Sequence, residues 1–261
     1  MSRLSSETLF HYVREKSFLI SILQNNFRPR YVKEEFSFES NELAKIALPM
    51  LCFCDIKLSS IDEHVKWYGK YGIGMKKEWA LKKGLTPVHY YNPNSHAIKH
   101  LSDALLNIRQ GIKNGTSNLD AYISNYYNLW FLKPYTGEQY NRSEDKILQK
   151  EFYDEREWRY IPSLDELKRL DEGLPMSISG DELVRFENKY DSYNSDLNTK
   201  LGESISLDFT PQDISYIIVG HEEERLEMIG AIKQAKSHFD RDTRELVFSK
   251  IISLEQIFKD F

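Results

Sequence analysis

Residues 151–162, with the sequence EFYDEREWRYIP, place six charged side chains among four aromatic ones and end at a proline. If this segment is a β-strand, Glu155, Glu157 and Arg159 project from one face, because side chains alternate along a strand. Two carboxylates in such a row repel each other, and Arg159 beside them favours the ionised form of one. A carboxylate in a cleft from which aromatic side chains exclude water can stabilise a positively charged transition state. The pattern therefore predicts a strand with Glu157 as a candidate catalytic carboxylate.

The same residues have other interpretations, which the sequence leaves open. In a helix, Glu155 and Arg159 would form an ordinary i, i+4 surface ion pair. In a strand on an exposed sheet face, the charged residues would be plain surface residues. A metal nuclease using Asp154, Glu155 and Glu157 is disfavoured, because neighbouring strand residues face opposite sides and only two of the three could share an ion. No metal site is predicted.

Further candidate residues lie nearer the N-terminus. His11 occurs in the aromatic stretch LFHY, where a histidine is more often a packing residue than a functional one. Tyr68 and Tyr71 lie beside two glycines in WYGKYGIG. This stretch lacks the G-x-G-x-x-G pattern of dinucleotide-binding folds, and the chain has no P-loop motif for phosphates. Composition and spacing alone therefore indicate a polar cleft and no particular reaction.

Composition excludes several classes of protein. The chain has 261 residues, of which 41% are hydrophobic, and a net charge of −5. It has enough apolar residues for a core, and its overall charge gives no support for a nucleic-acid partner. The longest uncharged apolar run, Ile46–Cys54, is too short to span a bilayer, and no signal-peptide pattern precedes it. We expect a cytoplasmic protein without a membrane partner, in which Cys52 and Cys54 are reduced thiols.

The apolar periodicity predicts strands and helices that are interleaved without a regular β–α–β repeat, which is typical of an α+β fold in a single domain over residues 1–261. Residues 96–132 show two helical patterns and are expected to form a helical insertion. Residues 187–204 are polar and are expected to form a loop. Strands are expected at 8–13, 46–56, 71–76, 151–161 and 213–220, and also at SISLDFT (204–210) and ELVFSKII (245–252).

Four stretches, taken in order, resemble the AbiGi family of abortive phage-infection proteins. They are LSSETLFHYV (4–13), IALPMLCFCDI (46–56), the segment from WYGKYGIGMKKEWA to HYYNPNS (67–95), and EFYDEREWRYIP (151–162). The resemblance is strong over residues 1–165 and loose in the C-terminal third. The same order of parts is similar to a wider group of bacterial proteins with an ADP-ribosyltransferase-like fold. That similarity implies a split, strongly bent β-sheet core, with a nucleotide cleft between its halves.

The resemblance also implies roles for individual residues in a cleft for NAD, which would be a substrate. Glu157 would stabilise the oxocarbenium-like state in which the nicotinamide–ribose bond breaks. His11 would hold the adenosine ribose, and Tyr71, ahead of Tyr68, would stack on the nicotinamide. The catalytic set is thus Glu157, His11 and Tyr71. The NAD-binding set is His11, Tyr12, Tyr68, Tyr71, Trp158 and Arg159.

The resemblance implies two alternative functions. In the first, the chain is a phage-defence effector that transfers ADP-ribose from NAD to a macromolecular target, or hydrolyses NAD. In the second, it is a non-enzymatic antitoxin or regulator in a two-component phage-exclusion module, which binds a cognate toxin through the tyrosine-rich helical insertion. The second alternative follows from the antitoxin label of the family and from helices that the transferase core does not require. A fold by itself does not decide between them.

Overall fold

A mixed β-sheet forms the centre of the molecule. The computed structural model describes residues 6–36, 45–170, 174–188, 191–235 and 240–260. The strands in this part of the chain are β1 (Thr8–Val13), β2 (Arg30–Glu35), β3 (Lys45–Cys54), β4 (Tyr71–Lys76), β5 (Thr86–Pro87), β6 (His89–Tyr91), β7 (Leu132–Pro134), β8 (Thr136–Asn141), β9 (Lys146–Glu151), β10 (Glu157–Tyr160), β11 (Ile214–Val219) and β12 (Ile251–Ser253). The helices are α1 (Lys16–Asn25), α2 (Asp62–Tyr68), α3 (Lys77–Lys82), α4 (His96–Lys113), α5 (Leu119–Leu129), α6 (Leu164–Lys168), α7 (Gly180–Glu187), α8 (Tyr193–Ser204), α9 (Glu224–Ala235), α10 (Arg241–Phe248) and α11 (Leu254–Asp260).

The strand order of the central sheet is β12–β11–β4–β1–β3–β10–β5, and β2 pairs with the first half of β3. The β11–β12 pair is parallel and the other pairs of this sheet are antiparallel. Two further pairs lie outside it: β6 with β7, which is parallel, and the hairpin β8–β9. Antiparallel neighbours predominate, so many strands follow each other without a crossover helix.

Helices cover both faces of the central sheet. On one face, buried side chains of α1, α8 and α9 form a large apolar cluster with the strands, which includes Leu19, Leu201 and Met228. On the other face, α4 and α5 bury Leu105 and Leu129 against β3, and α11 buries Ile257 against β1 and β11. Apolar side chains are removed from contact with water on both faces of the sheet, so the central strands are buried on both sides. Among the described residues, no helix combines the length and apolar character that crossing a membrane requires.

Two glycines of β4 allow an unusually close contact with β1. A Cβ atom on Gly72 would lie 3.0 Å from ring carbons of Tyr12, and one on Gly74 would lie 2.8 Å from Phe10 Cε1. A glycine within a strand lets another group approach the backbone closely, and here the groups are the two aromatic rings of β1. The contact orients Phe10 and Tyr12 across the face of the sheet on which Glu157 lies.

The prediction of a polar loop at 187–204 is wrong for most of its length, since α8 spans Tyr193–Ser204. The helix buries Leu197 and Leu201 in the large cluster, one turn apart on the same side. Asn198 is also buried, and its side-chain oxygen accepts a hydrogen bond of 2.7 Å from the backbone N–H of Tyr31. Packing against β2 therefore stabilises a helix that polar composition alone disfavours.

Two strand predictions also differ from the structure. SISLDFT contributes one isolated bridge, between Leu207 and Phe27, rather than a strand. In ELVFSKII, the first half belongs to α10 and only the end belongs to β12. The side chain of Asp240 accepts a hydrogen bond of 2.8 Å from Thr243 N, and this N-cap favours a helix through the residues that follow.

Two helices, α4 and α5, occupy the region of the expected helical insertion, and the parallel strands β6 and β7 flank them. Their apolar side chains lie mainly against the sheet, where Tyr126, Tyr127 and Trp130 join the cluster formed with β3. The helices lead directly into β7, which carries a charged residue of the site described below.

Candidate functional site

The sequence predicts one continuous strand in the segment 151–162, and this prediction is wrong. β9 ends at Glu151, Phe152–Glu155 form a 3-10 turn, and Arg156 is in the left-handed region with φ of 43° before β10 begins. The chain turns here because the N–H groups of Phe152 and Tyr153 both donate to the Tyr135 carbonyl, at 2.8 and 3.3 Å. Glu155 therefore lies in a turn and not on the strand face of Glu157, although both side chains are buried.

Glu157 and Arg159 do lie on one face of β10, as alternation predicts. Arg159 Nε donates to Glu157 Oε1 at 2.6 Å, and Arg159 is 0% exposed. Its other nitrogens donate to the Trp130 carbonyl at 2.7 Å and to Glu34 Oε1 at 2.8 Å. The guanidinium is thus fully used inside the protein, and it fixes the orientation of Glu157.

A buried lysine joins the two glutamates. Lys133 Nζ on β7 lies 2.7 Å from Glu155 Oε2 and 2.5 Å from Glu157 Oε2. The sequence analysis missed this residue, although a signal exists: Lys133 is a single charge within the apolar run LWFLKP, and a lysine in such a run requires a buried carboxylate partner.

A second lysine, Lys150 on β9, completes the cluster. Its Nζ lies 2.6 Å from Glu155 Oε1 and donates to the hydroxyl oxygen of Tyr68 at 3.0 Å, while the Tyr68 hydroxyl donates to Glu155. The ammonium also lies 4.4 Å from the ring centroids of Trp67 and Tyr68. We call the six residues Glu34, Lys133, Lys150, Glu155, Glu157 and Arg159 the charge cluster; it contains three carboxylates and three cations.

The cluster sets the ionisation of its members. Burial raises the pKa of Glu157, but the charges of Arg159 and Lys133 lower it more, so the carboxyl has a pKa well below its ordinary value. Burial lowers the pKa of Lys133, and Glu155 and Glu157 reverse this, so its pKa lies above the ordinary value. The ion pairs of Glu157 with Lys133 and Arg159 therefore stay charged at neutral pH.

A cavity of about 240 Å³ lies against the charge cluster. β2 pairs with Lys45–Met50 of β3, while β1 pairs with β3 at Cys54. Between these contacts, Cys52 and Phe53 line the cavity together with residues of β1 and β2. We call this space the β1–β3 cavity. A second cavity of about 580 Å³ adjoins it, and the two share His64 and Glu155.

The β1–β3 cavity brings together three of the predicted site residues, namely Tyr12, Tyr68 and Glu157. His11 borders it only at the edge, because its side chain alternates with that of Tyr12 and lies on the opposite face of the sheet. His11 Nδ1 donates to the Cys52 carbonyl at 2.7 Å, and its ring packs against the rings of Phe27 and Phe53. Burial lowers the pKa of His11, which makes it a neutral group with a packing role at the edge of the cavity. Arg159 does not line the cavity but supports Glu157 from behind.

Tyr71 and Trp158 lie elsewhere, and their assignment to the same cleft is wrong. Tyr71 packs in the large cluster on the opposite face of the sheet, and its hydroxyl donates to Glu224 at 2.7 Å. Trp158 also packs against that cluster, with Lys77 Nζ 5.7 Å from its ring centroid. The reason is strand alternation: Gly72 and Gly74 face the cavity side of β4, so Tyr71 faces away, and Trp158 alternates with Glu157.

The described residues contain no group of three or more His, Cys, Asp or Glu side chains arranged to hold a metal ion. The carboxylates of Glu155 and Glu157 share the ammonium group of Lys133 instead. What the site offers chemically is a small polar cavity with aromatic walls, beside ion pairs that neutralise each other.

Comparison with known proteins identifies relatives. A family model described as "Putative abortive phage resistance protein AbiGi, antitoxin" matches residues 25–220. The chain is similar to the "Abortive phage resistance protein AbiGi" of Lactococcus lactis subsp. cremoris, with 30% identity over an alignment of 257 residues. The match covers 90% of this chain and 99% of the relative. No solved structure matches the chain.

Proposed function

Because the chain belongs to the AbiGi family of abortive phage resistance proteins, we propose that it acts in phage defence by binding and neutralising a cognate toxin protein. The description of the family as an antitoxin supports this function. An antitoxin needs a surface that another protein can bind. It does not need to catalyse a reaction in the cavity.

The observation that carries the proposal is a group of exposed apolar side chains on the β8–β9 hairpin. Tyr140 and Ile147 are 51% and 63% exposed and lie directly opposite each other in the hairpin register. Tyr135 and Tyr153, at 40% and 43%, lie at its base, where their rings stack 5.3 Å apart. Exposed apolar residues scattered singly are ordinary, whereas two exposed apolar pairs on one hairpin favour an interaction site. We call these four residues the hairpin surface.

The charge around the hairpin surface indicates the chemistry of the partner. Residues 135–154 carry five carboxylates and three cations. One of the cations, Lys150, is turned inward to Glu155, which leaves Arg142 and Lys146. The surface is therefore acidic as well as aromatic, and it suits a basic partner with apolar side chains at its centre. The helical insertion is a weaker candidate, because its aromatic residues pack against β3.

Co-expression tests this function. The protein and the product of the neighbouring gene, in its host genome, are produced together and separately in a host cell. We expect the neighbouring product alone to arrest growth, the pair to restore growth, and the two proteins to co-purify. Toxicity of the present chain alone, or no rescue by it, would contradict the antitoxin function.

Variants of the hairpin surface then test its role. Replacing Tyr140 and Ile147 by Ser removes the central apolar pair and should weaken binding about tenfold or more. Leu119→Ser is the matched control, because Leu119 is 57% exposed on the helical insertion. If both variants rescue growth equally, the hairpin is not the binding surface, although the antitoxin function stands.

The second candidate is an NAD-dependent ADP-ribosyltransferase or NAD hydrolase. One observation favours it: Tyr12, Tyr68 and Glu157, three of the residues predicted for the NAD cleft, line the same cavity. Two observations weigh against it, since Lys133 and Arg159 already bind both oxygens of Glu157, and Tyr71 lies on the opposite face.

Incubation of the purified protein with labelled NAD and cell extract tests this candidate. The enzyme function requires nicotinamide release or label transfer by the wild type and its loss in Glu157→Gln, with folding of the variant checked by circular dichroism. A wild type that leaves NAD intact excludes it.

A further inference from the structure

The β8–β9 hairpin directs some backbone groups of β9 away from its partner strand. The backbone N–H of Phe152 donates to the Tyr135 carbonyl at 2.8 Å, in the register that the β8–β9 pairs continue. Hydrogen-bonded pairs recur at every second residue of an antiparallel ladder, so Lys150 and Leu148 also direct their N–H and C=O groups to β8. The residues between them direct these groups outward.

The outward groups belong to Ile147, Gln149 and Glu151, and we call this side of the strand the β9 edge. No backbone N–H or C=O of these three residues has a hydrogen-bond partner among the described residues. All three residues are exposed, and β9 is six residues long, without a proline or a break in register. An unpaired edge of this kind is a template for pairing with another extended chain.

The second cavity, of about 580 Å³, leaves room beside this edge. Residues 149–151 line it together with residues of α2, including Glu63 and Trp67. A paired strand lies about 4.7–4.9 Å from its neighbour, so a chain bonded to this half of β9 would lie at the cavity. Alternate side chains of that chain would face the same side and can enter it.

The charges next to the β9 edge indicate which chain it suits. From residue 144 to 154, the exposed charged residues are four carboxylates and one cation, Lys146, which pairs with Glu144. Lys57 and Arg156 also line the cavity, so the excess of carboxylates belongs to the edge and not to the cavity as a whole. Two copies of this chain would bring like charges together, which disfavours self-pairing. The edge therefore suits a different protein that carries Lys or Arg side chains.

From these observations we propose that an extended, basic segment of the cognate toxin adds to the β9 edge as a third strand. The inference rests on the proposed antitoxin function and states how the partner binds, through main-chain hydrogen bonds to Ile147, Gln149 and Glu151. In strand addition, backbone hydrogen bonds supply affinity and side-chain pockets supply specificity. The hairpin surface contacts the same partner, since Ile147 belongs to both.

Gln149→Pro tests the backbone contact directly. Proline lacks the N–H group, and the outward N–H of residue 149 does not donate to β8, so the hairpin keeps its own ladder. The matched control is Gln149→Ala, which also changes the side chain but keeps the N–H group. Calorimetric titration with the purified product of the neighbouring gene measures binding. We expect Gln149→Pro to weaken it about tenfold or more, and Gln149→Ala less than about threefold.

Amide hydrogen exchange at single-residue resolution gives a second measurement, which needs no variant and applies even if Gln149→Pro does not fold. In the free protein, the amides of Ile147, Gln149 and Glu151 should exchange faster than those of Leu148 and Lys150, which bond to β8. In the complex, the three outward amides should slow about tenfold or more, because they then donate to the added strand.

Asp154→Lys tests the charge of the partner. Asp154 is exposed beside the β9 edge, and reversing its charge should weaken binding of a basic segment about three- to tenfold at low ionic strength. The difference from the wild type should shrink as salt is added, because salt screens exposed charges. Equal affinity of variant and wild type at low salt would exclude a basic segment.

Failure of this inference and failure of the antitoxin function give different results. If the wild type does not bind the neighbouring product, both are wrong. If the wild type binds, equal affinities of Gln149→Pro and Gln149→Ala, or unchanged exchange of the three outward amides, would overturn strand addition alone. A dimer of the chain by itself that Gln149→Pro dissociates would place a second copy on the edge, and would likewise overturn the inference.

Discussion

Lys133 Nζ lies 2.5 Å from Glu157 Oε2, in a buried ion pair on the wall of the β1–β3 cavity. The same ammonium binds Glu155, so one cation separates two carboxylates that would otherwise repel each other. The pair connects β7, at the end of the helical insertion, to β10 in the central sheet. It links the stability of the insertion to the ionisation of the cavity wall.

Replacing Lys133 by Met should lower the free energy of unfolding by about 3–5 kcal/mol, because it leaves two buried carboxylates without their shared cation. Urea unfolding followed by circular dichroism measures the effect. The control is Lys146→Met, which removes a lysine from an exposed ion pair with Glu144 and should change stability very little. Similar losses in the two variants would show that the buried pair has no special role.

Gly74→Ala should destabilise the protein by about 1–3 kcal/mol, because the new Cβ would lie 2.8 Å from both Phe10 Cε1 and Thr8 Cγ2. Gly230 is the matched control, since it lies inside α9 with no atom within 4 Å of an added Cβ. Gly230→Ala should raise stability by about 0.5–1 kcal/mol, which is the helix preference of Ala over Gly. Thermal unfolding of both variants measures the two signs, and a stabilising Gly74→Ala would contradict the packing of β1 on β4.

Stability should fall as the pH drops from 6.5 to 4, and His64 should contribute to this fall. Its pKa is about 4 in the folded protein, whereas the ordinary pKa of a histidine is 6.5, so the unfolded chain takes up a proton in this window while the folded protein does not. Protons therefore favour unfolding, by up to about 3 kcal/mol at the lower end.

Urea unfolding at several pH values checks this sign. His64→Phe keeps an aromatic ring and removes the proton site, so its stability should depend less on pH between 6.5 and 4. Below the ordinary pKa of a glutamate the variant should still lose stability, because the pKa values of Glu155 and Glu157 are lowered in the folded protein. Parallel curves for wild type and variant between pH 6.5 and 4 would be evidence against a neutral, half-buried His64.

Lys150 holds the β8–β9 hairpin against α2, through Glu155, Tyr68 and the ring of Trp67. Lys150→Ala should therefore speed amide hydrogen exchange in residues 136–151 about tenfold or more, because a buried, charge-assisted contact is lost. Exchange followed by mass spectrometry measures it. Lys146→Ala, in the same strand but at the exposed end, should leave the exchange rates unchanged; an equal effect would mean that Lys150 does not anchor the hairpin.

Local patterns in the sequence determined a large part of this protein. The strand of His11 and Tyr12, the strand with Gly72 and Gly74, and the pairing of Glu157 with Arg159 on one face all follow from side-chain alternation, which requires no knowledge of distant residues. The two helices of residues 96–132 follow from apolar periodicity in the same way. The ordered stretches around these residues also carried the resemblance to the AbiGi family, which the comparisons confirm.

Only the tertiary structure decided which side chains meet. Lys133 is 24 residues from Glu157, and Glu34 is 125 residues from Arg159, yet each pair is in direct contact. The pairing and register of β1, β3 and β4 determine which face of the sheet holds the cavity. They therefore also determine that Tyr71 points away from it. A buried charge needs an oppositely charged partner, which can lie far away in the sequence, because the free energy of desolvation exceeds that of local conformational preferences. That long-range requirement has no periodic signature along the chain.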